Sequence, residues 1–366
     1  YENAKEWAPM IAFQVSEGNM PPWDVHPQHE GDFKNERYLD EDEKETLITW
    51  ARNGTPEGDR AQAPPPREFP KTGGDEWWIG DPDFTLFFDE PYFVADSVND
   101  QYVDIPVQVT EEMVPEHRWV KAREARPGGA HVHHIVGGIQ GMAPGSMPTI
   151  YEDGYSTLFC KGPRTITFNM HYNKEPGPGT GVEDVSGGGV VFYEEGEVIR
   201  HIVQVDWLGT MDFVIPPGES NYSDTVERTF QEDMLILGFN PHMHLRGKAA
   251  KYELTYPDGE SEVLLYIPDY DFSWQQGYEL KEPVRAPAGS TLKMTLWWDN
   301  SADNPDNPDP TKTVTWGEPT TAEMGFGFVS MTSAEPRHIV VGEPIPEDVA
   351  QICSQGTGPG TGRVSG

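Results

Sequence analysis

Five of the eleven histidines in this sequence are spaced so that they could bind metal ions. His242 and His244 lie two residues apart, and a β-strand points alternate side chains to one face, so both imidazoles could reach one ion. His133 and His134 are adjacent and would bind together only where the strand bends. His171 is a single histidine in a later segment. Imidazole sites of this kind suit copper or zinc, and a thioether ligand would favour copper.

A structural role is the alternative for each of these residues, because a histidine in a strand commonly lies on the surface or is satisfied in the core. We give that interpretation to His117, His201 and His338. Either histidine pair alone is as compatible with a structural role as with metal binding. The two pairs together, with a further histidine in a third segment, favour metal binding.

The composition argues against nucleic acid as a partner and against a membrane-spanning helix. With 26 Lys and Arg against 61 Asp and Glu, the net charge is −35, and such a chain repels nucleic acid and polyphosphate. No apolar run approaches the roughly 18 residues that a membrane helix needs, so we predict no membrane span. The sequence begins at Tyr1, so we expect that a leader has been removed or that more chain precedes it.

The two cysteines, Cys160 and Cys353, are too few for a disulfide framework. Their separation matches no zinc or haem-attachment spacing. One long-range disulfide and two separate thiols are both open on the sequence alone.

The elements that must position the histidines are predicted to be mainly β. Gly and Pro contribute 38 and 34 residues without a period, and alternating apolar segments such as 199–205 are bounded by turn residues, which is typical of half-buried antiparallel strands. Segments 251–256 and 262–267 flank an Asp258-Gly259 turn and predict a hairpin. Some 270 residues of this texture, roughly, predict two antiparallel β-sandwich domains in tandem.

A small, partly helical segment precedes them. Asp40 and Glu43 form a capping-box pattern ahead of an amphipathic run that ends at Asn53-Gly54, which predicts one helix of about three turns. A proline-rich linker, residues 55–74, follows. We therefore divide the chain into a helical segment with its linker, a first sandwich, a second sandwich and a flexible tail: residues 1–72, 73–206, 207–345 and 346–366.

The order of several motifs resembles that of a known family. The motifs are Pro241-His-Met-His-Leu-Arg-Gly, Trp298-Asp-Asn-Ser with its Asn-Pro-rich loop, Trp316-Gly, and Thr321-Ala-Glu-Met. They resemble the copper type II, ascorbate-dependent monooxygenases, the group of peptidylglycine α-hydroxylating monooxygenase and dopamine β-monooxygenase with their bacterial relatives. The resemblance covers residues 80–345, and the order of the motifs is more specific than any one of them.

The resemblance implies a fold and a first copper site. Two jelly-roll domains would face each other across a solvent-filled cleft, and each would hold one copper ion. By motif order, the ligands in the first domain would be three imidazoles: His133, His134 and His171. That copper stores and delivers an electron in the family. The resemblance implies no role for His131. Both a position next to the ligands and a position on the surface are compatible with the sequence.

The second, catalytic copper site would lie in the second domain. Its implied ligands are two imidazoles and a thioether: His242, His244 and Met324. Without its place after Trp316-Gly, Met324 would be interpreted as a core residue. The implied reaction is hydroxylation of a substrate C–H bond by dioxygen, with electrons from an ascorbate-like reductant.

The substrate positions depart from the family. In its peptide-hydroxylating members, an Arg, an Asn and a Tyr contact the carboxylate end of the peptide, and those positions are Asn240, Phe326 and Phe328 here. Asn169 replaces a Gln of those enzymes. We therefore expect a substrate that is not a glycine-extended peptide and is apolar or neutral at its reacting end.

Residues 1–72 resemble a different family, the second half of a c-type cytochrome domain. The resemblance rests on Glu17-Gly-Asn-Met-Pro-Pro-Trp and on the capped helix. It implies Met20 as an axial haem ligand. Because the chain has no Cys-x-x-Cys-His, haem c would be present only if an attachment half lies upstream of Tyr1. A fused or partner cytochrome c would then donate electrons.

These observations predict a secreted or periplasmic copper-dependent monooxygenase that acts on an unidentified small substrate. A non-catalytic copper-binding or electron-transfer protein on the same fold is the alternative. A β-sandwich interaction module is a third interpretation, with calcium in the acidic loop 299–310. That loop lacks the spacing of an EF-hand.

Overall fold

The computed structural model describes residues 1–65 and 76–354. Its α-helices are α1 (Glu2–Glu6), α2 (Ala8–Ser16), α3 (Glu41–Arg52) and α4 (Glu347–Ser354). Two short 3-10 helices lie at Pro27–His29 and Arg60–Gln62. None of the helices in these two ranges is long and apolar enough to cross a membrane.

The strands fall into two consecutive groups along the chain. The first group is β1 (Phe84–Phe87), β2 (Tyr92–Val94), β3 (Asp100–Val109), β4 (Arg118–Arg126), β5 (Val132–Gly137), β6 (Thr149–Ile150), β7 (Tyr155–Phe159), β8 (Arg164–Asn173), β9 (Val182–Asp184), β10 (Gly187–Phe192), β11 (Val198–Ile199) and β12 (His201–Ile202). The second is β13 (Gln204–Gly209), β14 (Val214–Ile215), β15 (Tyr222–Thr229), β16 (Met234–Met243), β17 (Gly247–Thr255), β18 (Ser261–Ile267), β19 (Tyr278–Ala286), β20 (Thr291–Trp298), β21 (Val314–Thr315), β22 (Gly325–Ser333) and β23 (Ile339–Val340).

Apart from β23, which pairs with β11, each group forms a β-sandwich with its own core. The first packs the sheet β1-β10-β4-β7-β12 and the sheet β3-β8-β5 around Phe168 and Met170. The second packs β13-β22-β16-β19 and β15-β20-β17-β18 around Ile236 and Leu296. Buried and half-buried residues alternate along β20, and each fully buried side chain contributes about 1.5–3 kcal/mol. The prediction of a mainly β chain with antiparallel β-sandwiches is confirmed. Their order is not a simple tandem, because the chain returns to the first sandwich after the second.

Two local predictions are also confirmed. The α3 capping box is present, since the Glu43 backbone N–H donates to Asp40 Oδ1 at 2.7 Å and the Asp40 N–H donates to Glu43 Oε2 at 3.1 Å. Strands β17 and β18 pair as a hairpin, in which Gly259 adopts φ 90°, a value that favours glycine. Helices α1 and α2 carry no comparable signal and were not predicted.

The predicted single strand over residues 199–205 is wrong. The chain there makes the short strands β11, β12 and the start of β13, which pair with β23, β7 and β22 respectively. Strand pairing therefore passes from the first sandwich to the second between β12 and β13, a few residues before the predicted boundary at 206/207. The predicted boundary near residue 72 lies outside the described residues.

The N-terminal segment packs against both sandwiches and is not a separate unit. Val25 and Phe33 lie in the core of the second sandwich, and Phe33 forms a β-bridge with Leu280. The neighbouring Lys34 Nζ reaches Glu152 Oε1 of the first sandwich at 2.6 Å. The stretch between α2 and α3 therefore contacts both sandwiches.

The prediction of a flexible tail over residues 346–366 is wrong for its first part. Helix α4 packs Val349, which is 2% exposed, onto the outer side of the first sandwich. A disulfide joins Cys160 to Cys353 with a Cα–Cα distance of 5.6 Å, which settles the cysteine question in favour of the bridge. Since β23 pairs with β11, the chain from 339 to 354 belongs to the first sandwich. Residues 355–366 lie outside the described part of the chain.

Candidate metal centre

The first three histidines lie on two neighbouring strands of the first sandwich. His133 and His134 belong to β5 and His171 to β8, and His134 stands directly opposite His171 in the antiparallel register. The register shifts between Val132 and His134. This irregularity is the bend that an adjacent histidine pair needs in order to present both rings to one site.

The three imidazoles converge through their Nδ1 atoms. His171 Nδ1 lies 3.2 Å from His134 Nδ1, and His133 Nδ1 lies 3.5 Å from His134 Nδ1. Three nitrogens that bind one ion at about 2.0 Å lie about 3.3–3.5 Å apart. The three ligand atoms lie within 4.8 Å of one another, and His134 and His171 are buried. These residues form a candidate metal-binding group whose spacing fits an ion.

Asp100 and Tyr102 hold the His171 ring in place. His171 Nε2 donates a hydrogen bond to Asp100 Oδ1, which leaves the Nδ1 lone pair directed at the site. Tyr102 stacks on His171 with ring centroids 4.1 Å apart. Asp100 Oδ2 accepts from Thr320 Oγ1 of the second sandwich at 2.9 Å. Burial alone would raise the pKa of Asp100, but the hydrogen bonds from His171 and Thr320 outweigh it and lower that pKa.

The second pair of histidines lies at the end of β16. His242 Nδ1 donates to Gln275 Oε1 at 2.6 Å, and Gln275 Nε2 donates to the carbonyl of Phe272 at 2.9 Å, which fixes the amide orientation. His242 Nε2 is then the unprotonated nitrogen. His244 Nδ1 lies 3.4 Å from the carbonyl of Ala322, whereas its Nε2 is buried without a hydrogen-bond partner. A buried nitrogen left in this way fits a metal ligand.

Met324 lies at the same end of the sheet. Met243 pairs with Gly325 across β16 and β22, so continuation of the register by one residue sets Met324 opposite His244. Trp298, which is fully buried, donates its Nε1–H to the carbonyl of Met324 at 3.3 Å and holds this backbone. The structure therefore brings the half-buried Met324 beside the second histidine pair.

Glu323 fixes the turn that carries His244. Its carboxylate accepts from the His244 N–H at 2.9 Å and from the Arg246 N–H at 2.7 Å. The carboxyl is fully buried. Burial raises the pKa of Glu323 to about 8, although the N–H groups of Arg246 and His244 oppose this rise. Glu323 thus ties the strand of the histidines to the strand of Met324.

The two histidine groups touch each other. His134 and His242 have ring centroids 5.9 Å apart. Phe272 stacks on His133 at 5.0 Å and lies 6.1 Å from His244. The resemblance implies a solvent-filled cleft between the two sites, and the structure differs: imidazole and phenyl rings occupy the space where the two sandwiches meet.

Four of the five imidazoles of this centre are held in their neutral form. Burial, with repulsion from neighbouring imidazolium charge, lowers the pKa of His133 to about 4 and that of His244 to about 3. Burial also lowers the pKa of His242 to about 4, although the Gln275 hydrogen bond opposes it. The pKa of His134 lies well below 6.5 for the same reason. Neutral imidazole is the form that binds a metal ion.

Four other histidines lie apart from the centre. His131 Nε2 is 3.4 Å from the buried carboxylate of Asp184, on the Tyr172 side of the sheet. His117 accepts a hydrogen bond from the Lys161 N–H. It lies beside the cysteine pair, but bonded cysteines offer no thiolate. His338 is exposed, and His201 stacks on a tyrosine.

The predicted substrate positions surround His242. In the β16–β22 register His242 faces Phe326 and Asn240 faces Phe328, so these side chains share one face of the sheet. Trp207 on β13 packs edge-on against Phe326 with centroids 5.5 Å apart. Asn240 donates to the carbonyl of Gln275 at 3.2 Å. Aromatic surface therefore adjoins His242. Asn169, the other substrate position that departs from the family, donates to Asp104 on β3.

Met20, the predicted haem ligand, follows α2 and is 44% exposed. Its thioether is accessible from outside the helical segment. Four residues that contact the ligands or their partners could not be predicted from the sequence, because no motif marks them: Asp100, Gln275, Phe272 and Thr320. The first three meet a histidine, and Thr320 meets Asp100, only through the tertiary fold.

Comparison with known proteins gives little. No family model and no curated protein matches the chain. It is similar to the infectious bursal disease virus VP2 subviral particle at 9% identity, with 69% of this chain and 72% of that chain covered and a TM-score of 0.22. A Paenibacillus xanthan lyase is 13% identical, with 68% of this chain and 25% of that chain covered and a TM-score of 0.18. Bacillus subtilis oxalate decarboxylase is 8% identical, with 82% of this chain and 97% of that chain covered and a TM-score of 0.14. TM-scores this low carry no argument.

Proposed function

We propose that this protein is a copper-dependent monooxygenase that hydroxylates a C–H bond of a small molecule with dioxygen and external electrons. The observation that carries the proposal is the convergence of five imidazoles where the two sandwiches meet, with Met324 beside one of them. Three imidazoles form one ligand set, and two imidazoles with a thioether form the other. The second set favours Cu(I), and bound copper supplies the one-electron chemistry with dioxygen.

The residues around the ligands would prepare the site for this chemistry. Asp100 and Gln275 fix which nitrogen of His171 and His242 carries the proton, and thereby which nitrogen is free for the metal. Phe272 stacks on His133 and lies 6.1 Å from His244, so one ring contacts both histidine groups.

The reaction requires an electron donor. One oxygen atom of dioxygen enters the C–H bond to give an alcohol and the other leaves as water, which consumes two electrons and two protons. We propose an ascorbate-like reductant or a fused or partner cytochrome c as the donor. The exposed thioether of Met20 suits the second option, in which haem c would be bound by this ligand and by residues outside this sequence.

The substrate is proposed to be apolar or neutral at its reacting end. Phe326 and Phe328 stand where a peptide-hydroxylating enzyme carries polar contacts, and Asn240 stands in place of an arginine. The Asn240 amide is engaged with the Gln275 carbonyl. This face of the sheet therefore offers no cationic partner for a carboxylate at these positions.

The compartment is proposed to be secreted or periplasmic. The Cys160–Cys353 disulfide favours an oxidising compartment, because cytosolic thiols are kept reduced. A monooxygenase there would meet dioxygen and an external reductant directly.

The test begins with metal content. We expect reconstituted protein to bind about two copper ions per chain, and His242→Ala and Met324→Ala to lose or loosen one of them at least about tenfold. His338→Ala, at an exposed histidine, is the matched control and should keep both. No copper after reconstitution would overturn the proposal. Copper without reductant-dependent oxygen uptake on any substrate in a screen of neutral molecules would favour the electron-transfer alternative.

A further inference from the structure

One loop of the second sandwich contacts both histidine groups. The 316–324 loop joins β21 to β22, and its Thr320 Oγ1 donates to Asp100 Oδ2, whose other oxygen accepts from His171. Two residues later, the carbonyl of Ala322 lies against His244 Nδ1. The same loop ends at Met324. A chain of direct contacts therefore runs from a ligand of the first group to a ligand of the second.

This loop is built to move as one piece. The Ala322 N–H donates to the carbonyl of Pro319 at 2.8 Å, and the Gly317 N–H donates to the carbonyl of Glu323 at 3.0 Å. Thr320 is 7% exposed. A displacement of Thr320 would therefore be transmitted to Ala322 and Met324 rather than absorbed between them.

We propose that Asp100 and Thr320 are positioning residues that couple the two metal positions. An ion held by the first histidine group would raise the affinity of the second group for its ion, and the reverse would hold to the same extent. The inference rests on the proposed function, because it requires that both groups bind copper.

The coupling follows from the shared carboxylate of Asp100. Its Oδ1 accepts from His171 Nε2 and its Oδ2 accepts from Thr320 Oγ1. An ion bound to Nδ1 would fix the position and the plane of the His171 ring, and the ring would in turn fix the carboxylate and the Thr320 hydroxyl. With the first group disabled, the ring keeps only its protein contacts. Asp100 and Thr320 are then less restrained, and with them Ala322 and Met324.

The experiment measures copper affinity in competition with a chromogenic Cu(I) chelator, using the whole chain. The affinity of the second group is compared with the first group intact and with the first group disabled by His133→Ala. In the otherwise wild-type chain, we expect His133→Ala to lower the Cu(I) affinity of the second group about tenfold. Thr320→Val keeps the shape of the side chain and removes its hydroxyl. In this variant the Cu(I) affinity of the second group should already be lower than in the wild type, and the additional His133→Ala change should lower it no further.

Two further variants separate coupling from a structural effect. Thr320→Ser keeps the hydroxyl and should restore the dependence. Thr321→Val removes the hydroxyl of the exposed neighbouring threonine and should leave the dependence unchanged. Asp100→Asn should also change the Cu(II) electron paramagnetic resonance spectrum of the first group, whereas Thr320→Val should leave that spectrum as in the wild type.

The outcomes are distinct. Loss of the dependence in Thr320→Val with rescue by Thr320→Ser supports the inference. Two bound coppers with equal dependence in wild type and Thr320→Val overturn it and leave the proposed function intact. An absence of copper binding in the wild type overturns the proposed function and this inference together.

Discussion

At the scale of single residues, the proposed chemistry depends on which nitrogen of each imidazole is free. Gln275 holds the proton of His242 on Nδ1, and Asp100 holds the proton of His171 on Nε2. The free atom is therefore Nε2 in one group and Nδ1 in the other. Neither Gln275 nor Asp100 would bind the metal, yet each fixes the ring that would.

Replacement of Gln275 tests this role. In Gln275→Ala, His242 loses the acceptor for its Nδ1 proton and can adopt the other tautomer, so we expect copper at the second group to be held about 10–100-fold more weakly. The copper affinity of the first group, measured while the second group is empty, should not change. Gln351→Ala, at an exposed position on α4, is the control. Equal copper retention by Gln275→Ala and Gln351→Ala in a chelator competition would contradict the assigned role.

The lowered histidine pKa values predict a pH dependence of stability. His242 has a pKa of about 4 in the folded chain and of about 6.5 when unfolded, so the unfolded chain binds more protons between these values. The stability associated with the neutral ring is complete above pH 6.5. It is lost as the pH falls towards 4, at about 1.4 kcal/mol of unfolding free energy for each pH unit.

The measurement is urea unfolding of metal-free protein at several pH values. His242→Asn lacks the titrating ring, so its free energy of unfolding should fall less steeply than that of the wild type between pH 6.5 and 4. Comparison of the two slopes cancels other groups, including Glu323, whose raised pKa has the opposite effect. Parallel slopes would show that His242 is not held neutral by burial.

The ligands could be predicted from the sequence and their partners could not. His242 and His244 are recognisable because strand periodicity makes their spacing meaningful. Asp100 and Thr320 are 220 residues apart, and both residue types are common in turns. Only the packing of one sandwich on the other joins them.

At the scale of elements, strands β13, β22 and β16 form the aromatic face beside His242. Gly209 lies opposite Phe326, and Phe326 lies opposite His242. A Cβ on Gly209 would come within 2.4 Å of the Phe326 ring and 2.5 Å of Trp207. The absence of a side chain at Gly209 therefore lets Trp207 and Phe326 pack against each other.

Gly209→Ala should displace Phe326 and lower stability by about 1–3 kcal/mol, as overpacking does. Gly58→Ala is the control, because a Cβ there would meet no atom within 4 Å. Thermal unfolding of both variants provides the comparison. An unchanged melting temperature in Gly209→Ala would show that Phe326 and Trp207 accommodate a Cβ at this position without loss of packing.

Elements with local signals were predictable, and elements that depend on distant partners were not. The capping box of Asp40 and Glu43 and the Asp258-Gly259 turn each act within a few residues, and both are found. Residues 199–205 alternate as one strand would. They are divided because their partners β23, β7 and β22 belong to different sheets.

At the scale of the whole molecule, the two ends of the chain connect the sandwiches. The N-terminal segment contributes Phe33 to the core of the second sandwich and Lys34 to an ion pair with the first. The C-terminal helix α4 returns to the first sandwich and is joined there by the Cys160–Cys353 disulfide. Two cysteines do not by themselves show whether they are bonded, so this disulfide could not be predicted from the sequence alone.

Removal of the disulfide should destabilise the chain without disturbing the metal centre. The double variant Cys160→Ser/Cys353→Ser frees α4 from the first sandwich, and we expect a loss of about 2–4 kcal/mol of unfolding free energy. Copper content should stay at the wild-type level. Dithiothreitol should destabilise the wild type and leave the variant unaffected. An equal effect of the reductant on both would contradict this assignment.

The return of the chain also bears on how the protein is made. Strand β23 and helix α4 cover Trp119, Leu158 and Ile199 of the first sandwich, yet they are synthesised after the whole second sandwich. In topological terms, the second sandwich is an insertion within the first. A ribosome that releases the chain from its N-terminus would leave this apolar layer uncovered until residue 354 emerges. A fragment ending at residue 206 should therefore aggregate, whereas joining residues 76–203 to 339–354 through a short linker should yield a soluble domain.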